Sequence, residues 1–131
     1  MEILKNTADL DQLIELSHRQ PVIIFKHSAT CPFSARAQEQ ITNLDAYIPV
    51  GGIVVQYAAD LKTEIAEKLA VEHQSPQAIV VHRGAAVDSY WRDDIQQRTL
   101  EKQIRDLKND WLGNISIFAM RMLPVVVKIS R

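Results

Sequence analysis

The stretch "PVIIFKHSATCPFSARA" (Pro21–Ala37) decides the fold. Its first part, "PVIIFK" (Pro21–Lys26), is a short, continuous apolar run with β-branched residues, the pattern of a strand buried on both faces. The loop "HSAT" then leads to Cys31. Pro32 suits the first turn of a helix, where its missing N–H costs nothing. Phe33, Ala37, Ile41 and Leu44 would give that helix a buried stripe. A buried strand thus runs into a cysteine placed at a helix N-terminus.

The elements on either side follow from periodicity and punctuation. "NTADLDQLIELSHRQ" reads as a helix, with Leu10, Leu13, Ile14 and Ser17 at helical spacing and Thr7 or Asn6 as its cap; Pro21 stops it. "GIVVQYAA" reads as the second strand, entered through Gly51-Gly52. Asp60 is positioned to cap a helix whose stripe includes Leu61, Ile65, Leu69 and Ala70. After Ser75-Pro76 comes the strand "QAIVVH", then a tight turn at Arg83-Gly84, then "AAVDSYW" as the returning strand of a hairpin. The last clear helix spans about Thr99 to Leu112, with Leu100, Ile104, Leu107 and Trp111 on one face and Gly113 at its C′ position.

The order is α-β-α-β-α-β-β-α. The first two strands are each followed by a helix, so they should be parallel with right-handed crossovers. The last two form an antiparallel hairpin. The expected architecture is α/β, a mixed four-stranded sheet flanked by helices, which is the arrangement of the thioredoxin fold. The domain is expected over residues 1–113, with 114–131 as an apolar C-terminal tail.

Composition agrees with one soluble domain. The 131 residues are 47% hydrophobic and 24% charged, enough to bury a core without disulfides or metals. A net charge of −1 offers no footprint for nucleic acid. Cys31 is the single cysteine, so no internal disulfide can form. The N-terminus lacks the apolar core of a signal peptide, which makes the cytoplasm the expected location. "ISIFAMRMLPVVVKI" (Ile115–Ile129) is strongly apolar but shorter than the roughly 20 residues of a membrane span. It reads as an extra element packed on the domain or on a second copy, a route to a homodimer.

Cys31 can be a reactive thiolate or a small buried hydrophobe. A free thiol with a pKa of about 8.5 is only about 3% ionised at neutral pH. The unpaired N–H groups and partial positive charge of a helix N-terminus would lower that pKa. N–H groups near Phe33 and Ser34 could point at the sulfur, and the Ser34 hydroxyl could donate to it. Lys26, His27 and Arg36 are close in sequence and could add positive potential. The polar neighbours Thr30 and Ser34 favour exposure, so reactivity is the preferred reading. Ser34 is also a natural first-turn capping residue, or a substitute for a cysteine. As serine it cannot resolve a mixed disulfide, so the second thiol must come from outside.

Pro76 is either an ordinary turn proline or the cis-proline that faces the cysteine in the thioredoxin fold. The second is expected here, and it would expose the backbone of Ser75 for strand-like pairing with a substrate. His27 precedes the cysteine and His73 precedes Pro76. Both could tune a pKa at the rim, or be ordinary surface or structural histidines. The four histidines have no metal-ligand spacing with Cys31, so no metal is expected. Trp91 reads as core or edge packing.

"FKHSATCPFS" together with "VEHQSPQAIVV" resembles the monothiol bacilliredoxins, thioredoxin-fold proteins with a Thr-Cys-Pro-x-Ser motif and a later His-x-Ser-Pro-Gln segment. In this chain those are Thr30-Cys31-Pro32-Phe33-Ser34 and His73-Gln74-Ser75-Pro76-Gln77. "DSYW" is similar to the family's Ser-His-Trp, with Tyr90 in place of the histidine. The resemblance covers about Glu2 to Trp111. It implies a thiol–disulfide oxidoreductase with no bound cofactor. Its partners would be proteins capped by bacillithiol, which Cys31 would take as a mixed disulfide before a second thiol releases it. Bacillithiol carries carboxylates, for which Lys26, Arg36 and the helix N-terminus are candidate contacts. Two other readings compete. One is a 2Fe–2S cluster carrier of the monothiol glutaredoxin type, against which Pro32 stiffens the loop. The other is a non-catalytic adaptor that uses its tail as an interaction surface.

Overall fold

The computed structural model describes the backbone of residues 1–122 and the side chains of residues 1–109. In chain order the elements are β1 (Glu2–Ile3), α1 (Thr7–Leu16), β2 (Val22–His27), α2 (Pro32–Thr42), β3 (Val50–Val54), α3 (Ala59–Leu69), β4 (Gln77–His82), β5 (Ala85–Trp91), a 3₁₀ turn (Arg92–Asp94) and α4 (Gln97–Met122). The sheet order is β1-β3-β2-β4-β5. β2 and β3 are parallel, as are β1 and β3, whereas β4 runs antiparallel to both β2 and β5. The fold is that of thioredoxin.

β2 and β4 are central, and every residue of both is buried, which is why their sequences read as unbroken apolar runs. One face of the sheet carries Ile23, Phe25, Ala78 and Val80 against Ala37 and Ile41 of α2 and Leu100 and Ile104 of α4. The other carries Val22, Ile24, Ile79 and Val81 against Leu10 of α1 and Leu61, Ile65 and Leu69 of α3.

The structure corrects the sequence reading in five places. The sheet has five strands rather than four, because Glu2–Ile3 adds a two-residue edge strand beside β3. So short a strand carries no periodic signal. Gly51 and Gly52 lie inside β3 rather than at its entry. A Cβ on Gly51 would meet Leu13 Cδ2 at 2.5 Å, and one on Gly52 would meet Met1 Sδ at 2.7 Å. The glycines therefore admit Leu13 of α1 and the Met1 side chain close to the strand. α3 is capped by Ala58 and Asp60 falls in its first turn, where a carboxylate still complements the helix dipole. In α2 the buried stripe is Ser34, Ala37 and Ile41, while Phe33 is only half buried. Finally, α4 continues through Gly113 to Met122. A single glycine costs a helix only about 1 kcal/mol, too little to stop it. The Trp111 side chain and residues 123–131 of the tail lie outside the described residues.

Other expectations are met. Asn6 caps α1 by accepting the Asp9 N–H at 3.0 Å. Arg83 and Gly84 both have positive φ, 55° and 78°, the conformation of a two-residue hairpin turn. That turn is tied to the end of α1, where Ser17 Oγ accepts the Gly84 N–H at 2.9 Å and the Ser17 carbonyl accepts the Arg83 N–H at 2.8 Å.

Candidate functional site

Sheet register assembles the site. Lys26 pairs with Gln77, and Gln77 pairs with Trp91. Beyond that row lie the β2–α2 loop, Pro76 and Arg92. Three segments far apart in sequence thus meet at one rim of the sheet. The Ser75–Pro76 peptide is cis. The Arg92 N–H donates to the Pro76 carbonyl at 3.3 Å, carrying the β4–β5 ladder one step past the strands.

Cys31 is the N-cap of α2, with extended backbone, and it is partly exposed. Its thiol pKa is lowered. The Ser34 N–H is the main cause, and the Phe33 N–H, the Ser34 hydroxyl and the positive charge of Arg92 add to it; partial burial opposes them. None of the polar groups facing the sulfur closes into a capping hydrogen bond of full geometry. They act as an array of dipoles around it.

The loop before the sulfur is pinned from both sides. Ser34 is buried, and its Oγ accepts the Ser28 N–H at 2.9 Å. Gln56 accepts the Ala29 N–H at 3.2 Å and donates its amide to Ser28 Oγ. Thr30 and Pro32 are exposed on the rim.

The structure brings only some of the expected residues to the sulfur. Lys26 is fully buried and points to the face carrying α3, away from α2 and Cys31. Its Nζ donates to His73 Nδ1 at 3.0 Å. Burial and the charge of Lys62 lower its pKa to about 8. His73, at the surface, is also held below the usual histidine range, by desolvation and then by Lys26 and Lys62. His27 is buried and stacked on Phe25, with ring centroids 4.9 Å apart. Burial lowers its pKa, so it stays neutral inside the core rather than sitting at the rim. Arg36 is exposed and pairs with Asp93, Nε to Oδ1 at 3.1 Å. Ser75 and Pro76 reach the rim. Ser75 lies outside β4, so the ladder does not use its backbone, and its buried Oγ has no partner among the described residues.

The sequence reading gave no role to two residues of the site. The Arg92 guanidinium lies 4.7 Å from the Phe33 ring centroid and 4.1 Å from that of Trp91. Its backbone sits at φ 54°, a conformation that a residue with a side chain adopts only at a cost. The other is Gln77, buried just after Pro76. Its amide donates to the Glu72 carbonyl at 3.1 Å and to Ser89 Oγ at 2.8 Å, and its carbonyl accepts the Gln74 N–H at 3.3 Å. Gln77 therefore shapes the proline loop from beneath. A polar amide opening an apolar strand was the available signal.

Two cavities, of about 490 and 610 Å³, lie away from the sulfur. One is lined by Lys5, Thr7 and Glu64, the other by Gln96, Arg98 and Arg105. The thiol itself is partly exposed at the rim. Among the described residues no group of three His, Cys, Asp or Glu side chains could hold a metal. No described helix is long and apolar enough to cross a membrane.

Comparison with known proteins places this geometry. A provisionally assigned oxidoreductase with a thioredoxin fold superposes with a TM-score of 0.71 and is 32% identical, covering 77% of this chain and 90% of its own. Thioredoxin from Fasciola hepatica is 19% identical with a TM-score of 0.62, covering 81% of this chain and 98% of its own. Thioredoxin O2 from Arabidopsis thaliana is 14% identical with a TM-score of 0.63, covering 79% and 92%; these two share the fold alone. The family model for the monothiol bacilliredoxin BrxC matches residues 2–100, the span that holds Cys31, Ser34 and the cis-proline loop, and the chain belongs to the monothiol bacilliredoxin family.

Proposed function

We propose that this protein removes bacillithiol, or a closely similar small thiol, from S-thiolated proteins. The observation that carries this reading is the lone Cys31, partly exposed at the α2 N-cap with a lowered pKa and no second thiol in the chain. The Cys31 thiolate attacks the bacillithiol sulfur of the mixed disulfide. That S–S bond breaks, the client sulfur leaves as a thiolate and takes a proton, and a Cys31–bacillithiol disulfide forms. An external thiolate then attacks the bacillithiol sulfur, leaving with it as a new disulfide and restoring the Cys31 thiolate.

Ser75 and Pro76 supply the docking edge for the client. The position of Ser75 outside β4, where the ladder leaves its backbone unused, supports this assignment. The rim position of Thr30, Pro32 and Phe33 gives the client access to the sulfur. Ser34 holds the loop and the thiolate, and it takes no part as a second sulfur.

The test is release of bacillithiol from a modified client, followed by mass spectrometry of Cys31. Cys31→Ala should abolish release, and Ser34→Ala should keep a measurable part of it. Full activity in Cys31→Ala would overturn the mechanism. A Cys31 adduct formed equally well with glutathione and bacillithiol disulfides would overturn the proposed thiol preference.

A further inference from the structure

Two cations flank the Phe33 ring beside the nucleophile, and they are not equivalent. Arg36 lies 4.6 Å from the ring centroid and pairs with Asp93 at the surface. Arg92 pairs with no carboxylate among the described residues. Its guanidinium lies over the Phe33 and Trp91 rings, and its N–H groups donate to no described residue. The backbone beneath is fixed by the bond to the Pro76 carbonyl. Phe33 and Trp91 hold the side chain, so little entropy is lost when an anion binds. Arg92 also lies near enough to the Cys31 sulfur for its charge to act there.

We infer that Arg92 is a specificity-determining residue, binding a carboxylate of the reagent that attacks or is attacked by Cys31. Clamped guanidinium forks suit planar carboxylates, which they bind in bidentate fashion. Lys26 is buried on the other face, and Arg36 shares its charge with Asp93, which leaves Arg92 as the favoured contact. The inference gives a substrate preference to the activity proposed above and rests on that reading for its biological ligand. Its chemistry can be tested without it.

The test compares alkylation of Cys31 by iodoacetate and by neutral iodoacetamide at low salt. Both reagents consume the same thiolate, so the ratio of their rate constants is insensitive to any change in thiol pKa. Arg92→Gln should lower the iodoacetate-to-iodoacetamide ratio about fivefold, the size of one exposed charge pair. Arg92→Gly should do the same, and glycine accepts φ 54° without strain, so this variant keeps the fold. Arg98→Gln removes an equal charge from exposed α4 and should leave the ratio within about twofold. An unchanged ratio in both Arg92 variants, or an equal fall in Arg98→Gln, would overturn the inference. If the ratio falls as expected while bacillithiol release is absent from the unmodified protein, Arg92 stands and the proposed function fails.

Discussion

At the scale of single residues, Cys31 and its surroundings make a direct prediction. The rate of alkylation against pH should show a midpoint below that of an unperturbed cysteine. Ser34→Ala should move that midpoint upward, because it removes the hydroxyl while the Ser34 N–H remains. It also strands the Ser28 N–H, a loss of about 1–3 kcal/mol where the group is buried. Gln77 gives a second prediction. Gln77→Leu keeps a side chain of similar size but leaves the Glu72 carbonyl, the Ser89 hydroxyl and the Gln74 N–H without their partner. Denaturant unfolding should show a loss of about 2–3 kcal/mol. Cys31, Ser34 and Pro76 could be read from sequence because each has a local signature, a nucleophile or proline at an element boundary. Arg92 could not. Its role depends on Phe33, which is close to it only after the sheet has formed.

At the scale of elements, the buried strands and the helix stripes were legible, because apolar runs and helical spacing follow directly from burial. The glycines of β3 were not. Gly51 reads as a breaker when only the chain around it is considered, whereas its purpose is the approach of Leu13 and Leu4 from other elements. Gly51→Ala should therefore destabilise by about 1–3 kcal/mol in thermal or chemical unfolding, despite the better strand propensity of alanine. The side chains of Leu13 and Leu4 must shift to admit the methyl group.

At the scale of the whole molecule, the thioredoxin order of elements was legible because helices and strands alternate and the final hairpin has its turn residues. The orientation of Lys26 was not, since sequence proximity to Cys31 says nothing about which face of β2 a side chain takes. Its burial has a global consequence. Its folded pKa of about 8 lies below the ordinary 10.5, so folding costs either desolvation of a charge or release of a proton. The stability contributed by this group is full above pH 10.5 and is lost as pH falls through 8. Lys26→Met should be more stable than wild type at neutral pH, by on the order of 1–3 kcal/mol. The difference should shrink as pH rises from 8 towards 10.5. Denaturant melts of both proteins across that range give the measurement. Tyr90, pushed up to about 12 first by burial and then by Asp88, is common to both proteins and cancels in the difference.

The single thiol also determines how this protein meets oxidants. Peroxide converts a thiolate to a sulfenate, releasing water, and a second equivalent carries the sulfenate on to sulfinate. A neighbouring cysteine would trap the sulfenate as a disulfide, but this chain has none. The uncapped protein therefore has no second thiol to trap the sulfenate, and a small thiol held on Cys31, as proposed above, would be its shield.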